Sequence, residues 1–351
     1  MIVGILTAKL MDRGNMREFI KTGKRMKIPV YVIPIDSMDM ETLTCEGYRW
    51  NGKWERVLCP FPTVVYNRIL ARRVENGPIA QQVLRELENL EIPVFNPGYF
   101  DKGKLYKIVG SHSETRELLP ETEELHSLSH LREMLETCRQ LYAKPVQSYG
   151  GKGIIRIDYA DNEALVWKQL KGIQTCENMR IQDLYYKLSQ NRRHKKYVLQ
   201  KGISLARVNG HIYDLRVLVQ KNRYGNWCVT GVGARVAPRY GILTHVPNGG
   251  AVWDAREALL ASFHKKGVQI LDDVKDKALK LAAVIEKKTP GILGEMSMDI
   301  GVDEEGRPWF FEANAKPGKF DEPEIQKLSI QRVLEFCRYL SFNRAIVESR
   351  K

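Results

Sequence analysis

At 351 residues, 43% of them hydrophobic, the chain can bury more than one core, and two or three globular domains are expected rather than a disordered or fibrous polymer. The formal charge of +13 favours anionic partners, namely nucleotides, nucleic acid or an acidic polymer, without choosing among them. Cys45, Cys59, Cys138, Cys176, Cys228 and Cys337 are scattered without a C-x-x-C pair or Cys/His cluster, and no run of about 18 apolar residues occurs; zinc, a disulfide framework and a membrane span are not expected, and a reducing cytosol is.

The opening MIVGILTAKLMDRG has too short an apolar run for a signal peptide and reads as a first strand over 2–7. Strands follow at 30–35 and 63–69, with helices over 15–26 and 79–90. This alternation predicts a small α/β domain with a parallel sheet over about 1–100. EIPVFNPGYF (91–100) leads out of it. A helix over 103–118, LLPETEEL, and a second helix over 127–141 come next. QLYAKPVQSYGGKGIIRI (140–157) reads as strand, glycine-rich turn, strand. Residues 161–196 are polar and read as helical, ending in the basic NRRHKK (191–196). Like charges and few apolar anchors predict poor order over 188–196 without a ligand. Strands are expected at 197–203, 211–220 and 227–237, and a helix at 267–287. A terminal helix over 322–342 carries Ile325, Leu328, Val333, Phe336 and Leu340 at helical spacing. No repeat or low-complexity segment is present.

Between the last two helices, GEMSMDIGVDEEGRPWFFEAN (294–314) alternates like two strands around a DEEG turn. Met296, Met298, Ile300 and Val302 share one face, and Glu295, Ser297 and Asp299 the other. Centring the turn on Glu305–Gly306 sets Asp299 opposite Glu312, with Cβ atoms about 5 Å apart. Asn314, two residues on, projects from the same side as Glu312. Two carboxylates that close repel unless a cation sits between them, and hard oxygen donors of this kind suit Mg²⁺.

A magnesium site of three protein ligands leaves positions for phosphate oxygens, so phosphate contacts should exist elsewhere. SYGGKG (148–153) lets backbone N–H groups approach an anion, with Lys152 adding charge; it is no Walker A motif and joins two strands. Lys144 ends the strand before that turn. In HIYDLRVLVQ (211–220), Tyr213, Leu215, Val217 and Val219 face a core, which leaves Asp214 and Arg216 on the other side. Arg216, with Arg235 from GVGARVAP, can stabilise charge on a transferring phosphoryl group. The competing reading of Arg216 is a surface ion pair with Asp214.

These residues, in this order, resemble the ATP-grasp superfamily over about 100–345, and VVYNRI (64–69) with the closing hairpin is similar to the YheC/YheD family of endospore coat-associated proteins. The resemblance implies an N-terminal Rossmann-like α/β (pre-ATP-grasp) domain followed by a two-subdomain ATP-grasp fold, α/β and α+β. The ATP-grasp part would span 101–351, with a small nucleotide-lid subdomain at about 140–203 and a metal-binding subdomain at 204–345. It implies ATP contacts from Lys104 (with Lys102 and Lys107 as neighbours), Lys144, Ser148, Gly150, Gly151, Lys152 and Gly153, and an adenine hinge at Gln200, Lys201 and Ile203. Asp299, Glu312 and Asn314 would ligate one or two Mg²⁺ ions. THVPNGG (244–250) stands where relatives carry an Asn before Gly-Gly; here His245 falls there, with Asn248, Gly249 and Gly250 as acceptor-site residues.

The implied activity is an ATP-dependent carboxylate–amine or carboxylate–thiol ligase linked to the spore coat, acting on a carboxylate that the sequence does not name. The setting would be the mother-cell cytoplasm, with association to the endospore coat and its components. The alternative is a non-catalytic nucleotide-binding coat protein. No RNP, zinc-finger or helix-turn-helix pattern accompanies the basic run, so nucleic acid is not an expected partner.

Overall fold

Val3–Thr7 is buried along its whole length, as a strand covered on both faces must be. In the computed structural model, which describes residues 1–9, 14–145, 153–160, 163–170, 173–190, 197–239, 241, 244 and 250–348, this strand is central to the first of three sheets. It pairs in parallel with Val30–Pro34 and Val64–Asn67, and Val94–Phe95 extends the parallel set. Helix Gly14–Arg25 seats Met16, Phe19 and Ile20 on one face, and helix Pro78–Asn89 seats Ala80, Val83 and Leu87 on the other. These elements lie within about two residues of their expected bounds. The sheet also carries an antiparallel hairpin, Thr44–Trp50 with Trp54–Pro60, that is not among the expected elements. The terminal helix Pro323–Glu348 returns to this sheet, packing Val333, Leu334, Phe336 and Leu340 against the core of Val3, Ile5 and Tyr66.

The second sheet is antiparallel, in the order Ile173–Arg180, Glu163–Leu170, Ile155–Ala160, Gln140–Pro145, Tyr197–Lys201, Thr122–Glu124. Helices Leu128–Cys138 and Ile181–Gln190 cover one face. Here two expectations fail. Residues 161–196 are not one helix: two strands precede Ile181–Gln190, and the outer one, Ile173–Arg180, carries mostly solvent-facing side chains, so it lacks an apolar alternation. Helix Lys102–Gly110 stops eight residues short of the expected end, where Gly110 and Ser111 break it and Thr115 Oγ1 donates to the Val109 carbonyl at 2.7 Å. Residues 188–190 belong to the helix, with Leu188 buried, whereas 191–196 lie outside the described residues.

The third sheet runs Ala251–Asp254, Trp227–Val236, His211–Lys221, Glu295–Val302, Pro308–Asn314, all antiparallel. Tyr213, Leu215, Val217 and Val219 face helix Lys266–Lys288 and the shorter helix Ala255–Phe263, which had not been expected and is N-capped by Asp254.

A buried polar joint ties the first sheet to the third. Glu295 accepts from Tyr66 Oη at 2.5 Å and Gln220 Nε2 at 2.9 Å, and lies 3.6 Å from Arg68. Lys316, just past the last strand, donates to Asn67 Oδ1 at 2.9 Å, to the Ile69 carbonyl at 3.2 Å and to Glu75. Burial pushes the Lys316 amine down to about 8, and the adjacent Glu75 opposes that shift. Removing one partner strands the other in the interior. Lys316→Met is expected to cost about 3–5 kcal/mol in urea unfolding, and Glu75→Leu/Lys316→Met together should recover most of it. A double variant no more stable than the single would show that the charges do not oppose each other as described.

Candidate active site

The second and third sheets line the two walls of a cleft of about 790 Å³, within the size range of small-ligand pockets. Three adjacent strands make one wall. Because side chains alternate, His211–Lys221 turns Asp214 and Arg216 to the cleft. The ladder pairs Arg216 with Asp299, and Asp299 with Glu312, giving a row of one cation and two carboxylates across three strands. Asn314 follows opposite Ser297, on the same face as Glu312.

The local sequence explains how that row is held. Val302 pairs with Pro308, so the turn spans 303–307. Asp303 ties it, accepting from Glu305 N at 3.1 Å, Arg307 N at 2.8 Å and Trp309 Nε1 at 2.8 Å. A bulge at Phe311 then shifts the register by one and sets Glu312 opposite Asp299. The expected pairing is correct, by a route that uniform alternation does not contain.

Charge is concentrated here. Burial, and then the nearby charge of Asp299, push the Asp214 carboxyl up to about 7; a hydrogen bond from Thr244 at 2.5 Å and the two arginines oppose this. Arg216 does not form the ion pair with Asp214 that was the competing reading. Its guanidinium stacks over Phe320 at 5.1 Å, and its buried Nε has no hydrogen-bond partner among the described residues. The Arg216 side chain also lines the cleft, where its positive charge fits an anion. Arg235 is held behind it, 2.9 Å from Glu322 and over the same Phe320 ring at 5.8 Å.

The opposite wall holds Lys144, whose amine lies 5.6 Å from the Phe311 ring centre and donates to Gln200 Oε1. Gln200 Nε2 in turn reaches Tyr106 Oη at 3.0 Å and Thr122 Oγ1 at 2.9 Å, and Tyr106 donates to the Phe311 carbonyl at 2.7 Å. Burial pushes the Tyr106 hydroxyl up to about 12, so it remains a donor. Tyr106, Phe311 and Thr122 were not among the candidates; only Tyr106's place beside the candidate lysines could have flagged it.

Lys201 and Ile203 line the cleft, as does Lys107, one turn along from Lys104. Lys104 itself is exposed and away from the lining, its backbone N–H capped by Asp101 at 2.8 Å. A helix presents residues three or four apart on one face, so Gly103, Tyr106, Lys107 and Gly110 form the inward side. Ser148, Gly150, Gly151, Lys152, His245, Asn248 and Gly249 lie outside the described residues, as does the Lys102 side chain. Gly153 has φ of +78°, open to glycine at little cost. At Gly250 an added Cβ would sit 2.1 Å from the Thr244 carbonyl oxygen, so the chain packs there only without a side chain.

Among the described residues no three His, Cys, Asp or Glu side chains group as metal ligands. The donor set is two carboxylates and an amide. That composition fits Mg²⁺, which takes few protein ligands and completes its shell with water or phosphate.

A family model described as YheC/D like ATP-grasp matches residues 91–340. The endospore coat-associated protein YheD of Bacillus subtilis (strain 168) is 29% identical over 322 residues, covering 89% of this chain and 70% of YheD. Among solved structures, the D-alanine–D-alanine ligase from Coxiella burnetii matches with a TM-score of 0.58 at 11% identity, covering 100% of this chain and 99% of that one. The ATP-grasp ligase PsnB, complexed with a minimal precursor, matches with a TM-score of 0.56 at 13% identity, covering 95% and 99%. The fold is thus the ATP-grasp fold.

Proposed function

The chain belongs to the YheC/D-like ATP-grasp family, and on that premise we propose that it is an ATP- and Mg²⁺-dependent carboxylate–amine ligase linked to the spore coat. The observation that carries this reading is the opposed pair Asp299–Glu312 on the cleft wall, with Arg216 in register beside it. Asp299, Glu312 and Asn314 would hold Mg²⁺, which supplies neutralisation of polyphosphate charge. Lys144 and Lys107 face the phosphates from the other wall, with Lys107 taking the role expected of Lys104. The backbone at Gln200–Ile203 receives the adenine.

The chemistry asks for positioning and charge compensation, not a protein nucleophile. An oxygen of the substrate carboxylate attacks the γ-phosphorus, the bond to ADP breaks, and an acylphosphate forms. An amine then attacks the carbonyl carbon, phosphate departs, and the amine proton is released. Arg216 faces the charge that develops on the transferring group, and Arg235, anchored by Glu322, supports it from behind. Gly250 and the 245–249 segment belong to the acceptor side of this scheme.

The relative's name, a coat-associated protein, favours a second reading: a nucleotide-binding coat component without turnover. ADP release against pooled amino acids, peptides and cell-wall precursors separates the two. The ligase should release ADP with Mg²⁺ and yield a product whose mass is acid plus amine less water; ATP binding with no ADP release from any pool would favour the second reading.

A further inference from the structure

The hairpin at the edge of the first sheet brings together two cysteines that are fourteen residues apart in sequence. Cys45 and Cys59 are direct cross-strand partners, with Sγ atoms 3.1 Å apart. Each sulfur also points at the other's backbone carbonyl, at 3.5 and 3.4 Å. Gly47 makes room for this arrangement, since a Cβ there would lie 2.9 Å from Cys59 Sγ. Opposed strand positions satisfy the Cα spacing a disulfide requires, and the sulfurs need close by only about 1 Å to reach bonding distance.

We propose that Cys45 and Cys59 are a modification site: a dithiol that a small hydroperoxide converts to an intrachain disulfide stapling this hairpin. Cys59 gives up its proton and attacks the terminal peroxide oxygen as its thiolate; the O–O bond breaks, giving a sulfenic acid and an oxyanion that takes up that proton, to leave as water from hydrogen peroxide or as an alcohol from an alkyl hydroperoxide. The Cys45 sulfur then attacks the Cys59 sulfur, the S–O bond breaks, and hydroxide leaves with the Cys45 proton as water. Two thiols lose two electrons and one peroxide gains them. Cys59 leads because it lies on the outer strand of the hairpin, and the contact between the sulfurs, which lowers the Cys59 thiol and raises Cys45, accords with that order. Both sulfurs are covered, but among the described residues strand Trp54–Pro60 pairs only with Thr44–Trp50, and its Leu58 is 74% exposed, so fraying of this outer strand admits a small oxidant.

The test treats the reduced, full-length protein with hydrogen peroxide and digests it with trypsin without reduction. Tryptic peptides 28–49 and 57–68 are expected as a linked pair, two hydrogens lighter than their sum and separated by dithiothreitol. In Cys45→Ser, dimedone should label Cys59; in Cys59→Ser it should leave Cys45 unlabelled. Recovery of both peptides unlinked from the parent, under peroxide that oxidises the exposed Cys176, would overturn the proposal without relying on either variant's folding. Labelling of Cys45 but not Cys59 would overturn the assigned order.

Discussion

Arg216→Met is expected to lower ADP release in the presence of an active substrate pool by about a hundredfold or more, the usual loss for a preorganised contact to transition-state charge. ATP affinity should change little, because in the proposed role the guanidinium meets charge that appears only during transfer. Folding should also survive: Arg216 is held by the Phe320 ring and not by a buried ion pair, and methionine can keep that apolar contact. The expected melting temperature is therefore near the parent's. A well-folded variant with unchanged turnover would remove Arg216 from the chemistry.

The second large effect is expected at the carboxylate pair. With Glu312→Ala the row across the sheet keeps one carboxylate, and the charge that Mg²⁺ would neutralise on the phosphates is no longer gathered at this point. Calorimetric titration with ATP should give the variant the same affinity with and without Mg²⁺, whereas the parent should bind more tightly with it. Turnover should fall by about two to three orders of magnitude, the equivalent of several kcal/mol of lost charge stabilisation. Asp299→Ala should behave likewise, and in addition relieve the repulsion that raises Asp214. Equal, Mg²⁺-strengthened ATP binding by Glu312→Ala and the parent would place the metal elsewhere.

The parts of the site legible in the sequence are those that depend on short-range periodicity. Alternation around the DEEG turn was enough to bring Asp299, Glu312 and Asn314 to one face, and the clean alternation of HIYDLRVLVQ separated Arg216 from its apolar neighbours. What alternation cannot carry is the bulge at Phe311, because an extra residue in one strand leaves no periodic trace. Ile173–Arg180 was misread because an outermost strand buries too little to show a period of two. The hairpin at 44–60 did have a signal, Asn51–Gly52 between alternating runs, with Gly52 at φ of +83°. Lys316, Asn67 and Glu75 meet across more than 240 residues of sequence, and no local pattern encodes that contact. Lys107 rather than Lys104 lines the cleft because helix phase, set by packing of Leu105 and Val109, decides which lysine turns inward.

The central claim is that ATP in this cleft activates a carboxylate as its acylphosphate, and hydroxylamine trapping tests it most directly because it needs no knowledge of the natural amine. The protein is incubated with ATP, Mg²⁺, pooled carboxylic acids and hydroxylamine, and hydroxamate and ADP are quantified together. Hydroxamate and ADP formed in equal amounts, both abolished by omitting Mg²⁺ and strongly reduced in Glu312→Ala, is the predicted result. ADP released without hydroxamate, or in amounts that do not depend on any acid supplied, would contradict it.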